Sequence, residues 1–255
     1  MPSGEAAAPE LAYHENLYSG FAQAHFAKEA VRLFRRHLVE RVVRRLGLGP
    51  SSQVLSLGCG IGDTEILLAR RVGHVTGIDV SPKGIAQAQS DAAAAGAGNT
   101  RFEVMDLETA DFGAKRFDAV VGIFFLHHLP AEELAAFPRR LQAWLGPRGC
   151  FYGLDPNRWR LVGVLGKVLA PRLMARYQSP GERELLASEL VTAFRLSGFD
   201  VQTAIYDFMS TALAGLCPAW GAGYRLARTL DEMLVRTPVV RAVGGNLEVV
   251  ACCGR

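Results

Sequence analysis

Hydrophobic and polar positions change period several times along the chain, and the changes mark out its elements. Residues 21–46 carry Phe26, Ala30, Leu33 and Phe34 on one stripe, with Arg32, Arg35, Arg36, Arg41, Arg44 and Arg45 mostly elsewhere. That spacing predicts one long amphipathic helix, ended by residues 47–50. From residue 53 to 152, short β-branched apolar runs alternate with helical stretches, which predicts a parallel sheet covered on both faces. After Asp155 the alternation gives way to a helical insertion. It returns as a helix over 184–196 and a strand over 199–206, breaks again over 207–245, and ends in a strand over 247–253. No internal repeat is present.

The first of these strands runs into Gly58-Cys59-Gly60-Ile61-Gly62-Asp63. Three glycines at i, i+2 and i+4 permit positive φ and close backbone approach, and a helix start directly behind them suits a nucleotide or nucleoside. Asp79 follows about twenty residues on at the end of the next strand, the spacing at which an acid meets a ribose diol. The pair points to adenosine. A dinucleotide loop needs its third glycine one residue later, and here Asp63 takes that place. A carboxylate there repels a pyrophosphate but tolerates a sulfonium or an amino group.

With these motifs the chain resembles class I S-adenosylmethionine-dependent methyltransferases, closely over residues 53–157 and more loosely elsewhere. Val54 to Gly62 resembles the family's first motif and Asp79 its ribose-binding acid. Glu103-Val104-Met105-Asp106-Leu107 resembles the adenine-flanking segment, which implies that Asp106 accepts from the adenine amino group, with Val80 and Leu107 as apolar walls. Phe117 to Gly122 followed by Leu126-His127-His128-Leu129 resembles the fourth-strand segment of small-molecule methyltransferases, including those of quinone biosynthesis. Leu145 to Gly149, then Phe151 to Leu154, resembles the turn into the fifth strand. The resemblance implies an α/β fold: a Rossmann-like, seven-stranded, mostly parallel sheet with helices on both faces, an antiparallel last strand beside the sixth, and helical cap insertions. It implies S-adenosyl-L-methionine as cofactor, held by Gly58, Gly60, Gly62, Asp63, Asp79, Val80, Asp106, Leu107 and backbone at Ile123.

Composition sets limits on this reading. At 255 residues and 49% hydrophobic content the chain can bury a full core. We expect a helical cap over residues 1–50, a cofactor-binding core over 51–157, a lid over 158–183, and the rest of the core over 184–255 with a second insertion at about 207–245. The net charge of +3 argues weakly for nucleic acid, and none is expected as a partner. No leader pattern or spanning apolar run is visible, so a cytoplasmic protein is expected. The five cysteines, Cys59, Cys150, Cys217, Cys252 and Cys253, lack metal-ligand spacing and are expected to stay reduced.

Acceptor choice is expected to lie in the insertions. Residues 158–177 combine an apolar set with only positive charges, Arg158, Arg160, Lys167, Arg172 and Arg176, as in a lid or a segment resting on an anionic membrane. Phe208, Met209, Leu213, Leu216, Trp220, Tyr224 and Met233 make the second insertion apolar as well, favouring a hydrophobic or aromatic small molecule.

Methyl transfer is an in-line displacement with a neutral leaving group, so positioning and removal of the acceptor's proton remain for the protein. His127 and His128, after the fourth strand, are the base candidates, set against two structural histidines. Tyr13, Tyr18, Asp155 and Asn157 are candidates for the acceptor, and no metal is expected. The function expected is O-methylation in secondary metabolism. A lipid-linked acceptor at a membrane surface and a non-catalytic binding protein are the alternatives; acceptor atom and oligomeric state are unread.

Overall fold

The computed structural model describes residues 15, 18, 21–113, 117–161, 163, 164, 166 and 182–254. Seven strands form one sheet: β1 (Gln53–Leu57), β2 (His74–Asp79), β3 (Thr100–Val104), β4 (Phe117–Ile123), β5 (Leu145–Pro156), β6 (Phe199–Ile205) and β7 (Asn246–Cys253). Their order is β3-β2-β1-β4-β5-β7-β6. Strands β1 to β5 pair in parallel, and β7 runs antiparallel between β5 and β6. The central strands are apolar almost throughout because helices cover both faces: Val54, Leu55, Val120 and Val121 are all buried.

Two layers flank the sheet. One holds α5 (Ala131–Trp144) and α6 (Ala187–Leu196), whose Phe137 and Phe194 meet Phe151 of β5 in an aromatic cluster. The other holds α2 (Glu29–Leu46), which buries Ala30, Phe34, Leu38 and Val42. The helix predicted over 21–46 is two helices, α1 (Phe21–Phe26) and α2, with the break at Ala27 and Lys28. The N–H of Ala30 donates to the carbonyl of Pro218, so the start of α2 is tied to the C-terminal insertion. Gly47 ends α2 in the left-handed conformation, at φ 63°.

The α2 layer is tied to the sheet by a fully buried acid. Glu248 of β7 accepts from Arg41, from Arg45 Nε at 2.9 Å and from the Tyr152 hydroxyl at 2.9 Å. A lone charge in that position would be very costly; two guanidiniums and a phenol satisfy it.

The second insertion forms α7 (Ser210–Leu216), α8 (Gly221–Leu234) and α9 (Pro238–Arg241). Buried Asp231 of α8 accepts from the N–H groups of Met209 and Ser210, and buried Asp207 accepts from Thr211 N and from Asn246. These two acids cap α7, whose first N–H groups have no helical partner. Most of the lid expected over 158–183 lies outside the described residues.

One expectation about the cysteines is overturned. The register sets Cys150 of β5 directly opposite Cys252 of β7, and the two form a disulfide across a Cα–Cα distance of 4.0 Å. Cys59 and Cys217 are free thiols. Spacing did not reveal the pair because the two residues stand 102 positions apart.

Candidate functional site

The parallel register brings the C-terminal ends of β1, β2, β4 and β5 to one edge: Leu57 lies beside both Ile78 and Gly122, and Ile123 beside Leu154. In open α/β sheets such an edge is where ligands bind. Two clusters of side chains occupy it.

The first is the glycine loop. Gly58, Gly60 and Gly62 have φ of 64°, 53° and 73°, values that other residues adopt only under strain. A Cβ on Gly62 would stand 2.8 Å from the Phe102 ring and 2.9 Å from Ala88. Phe102 of β3 thus props the loop from beneath, a role that the strand's own pattern did not mark. Asp79 binds the loop from the other side: one carboxylate oxygen accepts from Gly60 N at 2.8 Å, the other from Ser81 N at 2.8 Å. Ser81 also caps α4 (Pro82–Ala94) through its side chain.

The N-terminal segment reaches this loop through Tyr18, one of the residues expected to meet the acceptor. A Cβ on Gly60 would meet the Tyr18 hydroxyl at 2.6 Å, and one on Gly84 the same ring at 3.1 Å. Burial and the Asp79 carboxylate hold the Tyr18 phenol well above its usual range, so it stays protonated. Glu15 accepts from the Ser81 hydroxyl and pairs with Lys83 Nζ at 3.0 Å; these bonds hold its carboxyl below the ordinary value. Tyr13 lies outside the described residues.

Three charged groups behind the loop escaped the sequence reading in whole or part. Asp63, at the start of α3 (Asp63–Leu68), pairs with Arg35 Nε of α2 at 2.7 Å. Glu65, two residues along, is buried and accepts from the Ser56 hydroxyl at 2.7 Å, while its Oε2 has no hydrogen-bond partner. Burial raises its carboxyl to about 7. A buried carboxylate oxygen without a donor, an acid–guanidinium pair and a cradle without side chains together fit an adenosyl group that ends in an amino acid. Of the expected adenine neighbours, Val80 is exposed at the edge. Asp106 is exposed too, and turns back to accept from Glu108 N at 2.8 Å. Leu107 is placed differently from expectation: it packs in the main core with Phe112 and Phe117.

The second cluster follows β4. Phe124 holds φ at 54°, the one described non-glycine residue with positive φ, and its N–H donates to Leu154 O at 2.7 Å. Its ring stacks on Phe34, so packing fixes a strained residue at the ligand edge. Phe125 turns toward the loop, its ring 2.9 Å from where a Gly58 Cβ would lie. A short 3-10 turn, Leu126–His128, follows. His127 is buried, and its Nδ1 lies 2.8 Å from Oδ1 of Asp155, itself buried at the end of β5. An ionised carboxylate only accepts, so Nδ1 carries the proton and a neutral ring presents its lone pair at Nε2. That nitrogen lies 3.9 Å from Glu182 Oε1, and the His128 ring sits 4.0 Å from the His127 ring.

Two residues expected to meet the acceptor are engaged within the protein. Asp155 orients His127. Asn157 donates its amide to Ala242 O at 3.1 Å and Gly244 O at 2.9 Å, and its oxygen accepts from Trp159 N. It fastens the β5 exit to the segment before β7.

The fold and the first cluster define a Rossmann-like protein for a nucleoside-containing cofactor. Residues 54–149 match the family model described as "Methyltransferase domain". The magnesium-protoporphyrin O-methyltransferase of Synechocystis is 32% identical over 152 residues, 58% of this chain and 65% of that protein. A 23S rRNA (uracil(1939)-C(5))-methyltransferase of Methylococcus capsulatus is 42% identical over 72 residues, 28% of this chain and 16% of that protein. Among solved structures, magnesium protoporphyrin IX methyltransferase from Synechocystis with bound S-adenosylhomocysteine superposes with a TM-score of 0.62. It has 17% identity, over 94% of this chain and 98% of that one. The match assigns a methyltransferase domain to residues 54–149, the part of the chain that carries the glycine loop and Asp79. The chain spans less than two thirds of the length of the first curated relatives it matches. Among the described residues no helix is long and apolar enough to cross a membrane.

Proposed function

We propose that the protein transfers a methyl group from S-adenosyl-L-methionine to a hydroxyl oxygen of a hydrophobic or aromatic small molecule, as an O-methyltransferase of secondary metabolism. The observation that carries the choice of an ionisable acceptor is the buried His127–Asp155 pair, at the same sheet edge as the glycine loop.

Gly58, Gly60 and Gly62 would admit the cofactor to the backbone, Asp79 would take its ribose, and Val80, Asp106 and Ile123 would line its adenine and methionine ends. Arg35, Asp63 and Glu65 would meet the charges of its amino-acid portion. When bound, the cofactor supplies an electrophilic methyl on a sulfonium that leaves as a neutral thioether. What this chain's residues do is orient the acceptor and hold its proton. Asp155 would fix the His127 ring so that Nε2 can accept that proton, and the partly buried Phe124 and Phe125 would give the corner an apolar lining. A positioned base of this kind contributes about 10²- to 10⁴-fold. The apolar surfaces around Trp159, Leu161 and Trp220 support a hydrophobic acceptor, and the relative that acts on magnesium protoporphyrin agrees with that chemistry.

The test is release of S-adenosylhomocysteine in a screen of hydroxylated aromatic acceptors beside their pre-methylated counterparts. Turnover only with free hydroxyls supports the reading. Turnover on amines or carbon acids alone, with all phenols inert, would overturn it.

A further inference from the structure

The corner behind β4 holds more nitrogen and oxygen donors than proton transfer needs. His127, His128 and Glu182 each offer one ligand atom, and the three atoms lie within 4.8 Å of one another. We propose that these residues form a binding site for a first-row divalent transition metal, with Asp155 behind His127. The proposal deepens the reading above and rests on it for the location of the acceptor.

Four observations carry it. The 2.8 Å bond from His127 Nδ1 to Asp155 leaves Nε2 as the ring's lone-pair atom, and Nε2 is the nitrogen near Glu182. A histidine ligand that donates its other ring N–H to a carboxylate is the usual support behind a metal-bound imidazole. The second imidazole comes from the neighbouring residue, its ring 4.0 Å away, through the turn that also seats Leu126 in the core. Glu182 is held to the corner by backbone: Arg183 N donates to His127 O at 2.9 Å, and the Arg183 side chain pairs with Glu189 of α6 at 2.7 Å. Lastly, the donors are two imidazoles and one carboxylate without a thiolate, a set that suits zinc, cobalt, nickel, manganese or iron(II) far better than calcium or magnesium. Bonds of about 2.0–2.2 Å are required, so each side chain must turn inward slightly as the ion binds.

Charge makes the site compatible with its surroundings. A dication beside a sulfonium would be repelled, but Glu182 and Asp155 supply two negative charges, so the loaded corner is close to neutral. Three protein ligands leave further positions open. A hydroxyl bound there would release its proton to solvent water and keep its oxygen on the ion, so His127 would act as ligand in place of base. The expectation of a metal-free enzyme is revised by this proposal. Spacing alone could not show the set, because Glu182 stands fifty-five residues beyond His127.

The experiment uses the full chain, without an affinity tag, stripped with chelator and titrated with Co²⁺ and Zn²⁺ by visible absorption and calorimetry. S-adenosylhomocysteine binding is measured on the same samples. The result expected is one equivalent of Co²⁺ with ligand-field bands, displaced by Zn²⁺. Affinity should fall 10- to 100-fold in Asp155→Asn and by more than that in His128→Ala and Glu182→Gln. All three should bind S-adenosylhomocysteine as the parent does. Glu182→Gln alters a partly exposed side chain and stands in if a histidine variant fails to fold. Absence of stoichiometric Co²⁺ binding, or binding that His128→Ala and Glu182→Gln leave unchanged, would overturn the site while the cofactor reading stands. Loss of S-adenosylhomocysteine binding in the stripped parent would instead point to failure of the cofactor reading.

Discussion

The glycine loop and the His127 corner share one sheet edge, yet the chain builds them by different means. Apart from Arg35, the packing of Phe102 and Phe125 and the reach of Glu15 and Tyr18, the loop draws on a compact stretch: Ser56, the three glycines, Asp63, Glu65, Asp79 and Ser81 all lie between β1 and the start of α4. Its recognition groups are largely backbone, shaped by positive φ and by one acid. The corner joins His127, Asp155 and Glu182, each from a different part of the chain, and its chemistry resides wholly in side chains. A site formed by backbone is constrained to one ligand class. One formed by side chains on three segments can change acceptor while the sheet stays the same.

The contrast can be broken most severely at the loop. Gly62→Val forces a β-branched residue into φ 73° and against Phe102 and Ala88, and should cost about 2–5 kcal/mol. Urea unfolding should show the loss of stability, and calorimetry the loss of S-adenosylhomocysteine binding. Next comes His127→Ala, expected to lower kcat by about 10²- to 10⁴-fold with little change in cofactor affinity. Single-turnover methyl transfer on any acceptor found in the screen checks it.

A smaller effect concerns Glu65. Burial raises its carboxyl from 4.5 in the unfolded chain to about 7, so the folded state holds the proton more tightly. Its contribution to stability is therefore complete below about pH 4.5 and is lost as pH rises through about 7. The full change is on the order of 3 kcal/mol. Glu65→Gln should flatten the stability profile between pH 5 and 8, measured by urea midpoints; an unchanged slope would show that Glu65 does not titrate there. The smallest effect is expected at Glu15, whose bonds to Ser81 and Lys83 tie the N-terminal segment to the loop. Glu15→Ala should weaken cofactor affinity by less than about tenfold, because the Lys83 pair is exposed to solvent.

How much of this could be read in the sequence follows from the same contrast. The strand–helix alternation, the loop and Asp79 were legible because they depend on local period and on glycine, and the antiparallel last strand followed from the family resemblance. The break between α1 and α2 was not, since the stripe runs on past Ala27 while the contact to Pro218 is remote. Likewise the histidines were visible at the end of β4, but the role of Asp155 as their partner depended on the β4–β5 register. Asn157 looked like a ligand from its place after β5 and proves to be a fastener, because the carbonyls it binds belong to a distant loop. The buried Glu248 gave no signal beyond an acid within an apolar strand, for its arginines come from α2.

The most direct test of the account is calorimetric titration of S-adenosylhomocysteine into the parent protein, Asp79→Ala and His127→Ala. The account predicts one equivalent bound by the parent, none detected with Asp79→Ala, and affinity within a few-fold of the parent for His127→Ala. Binding that survives in Asp79→Ala, or that His127→Ala abolishes, would contradict the division of the edge into a cofactor half and an acceptor half.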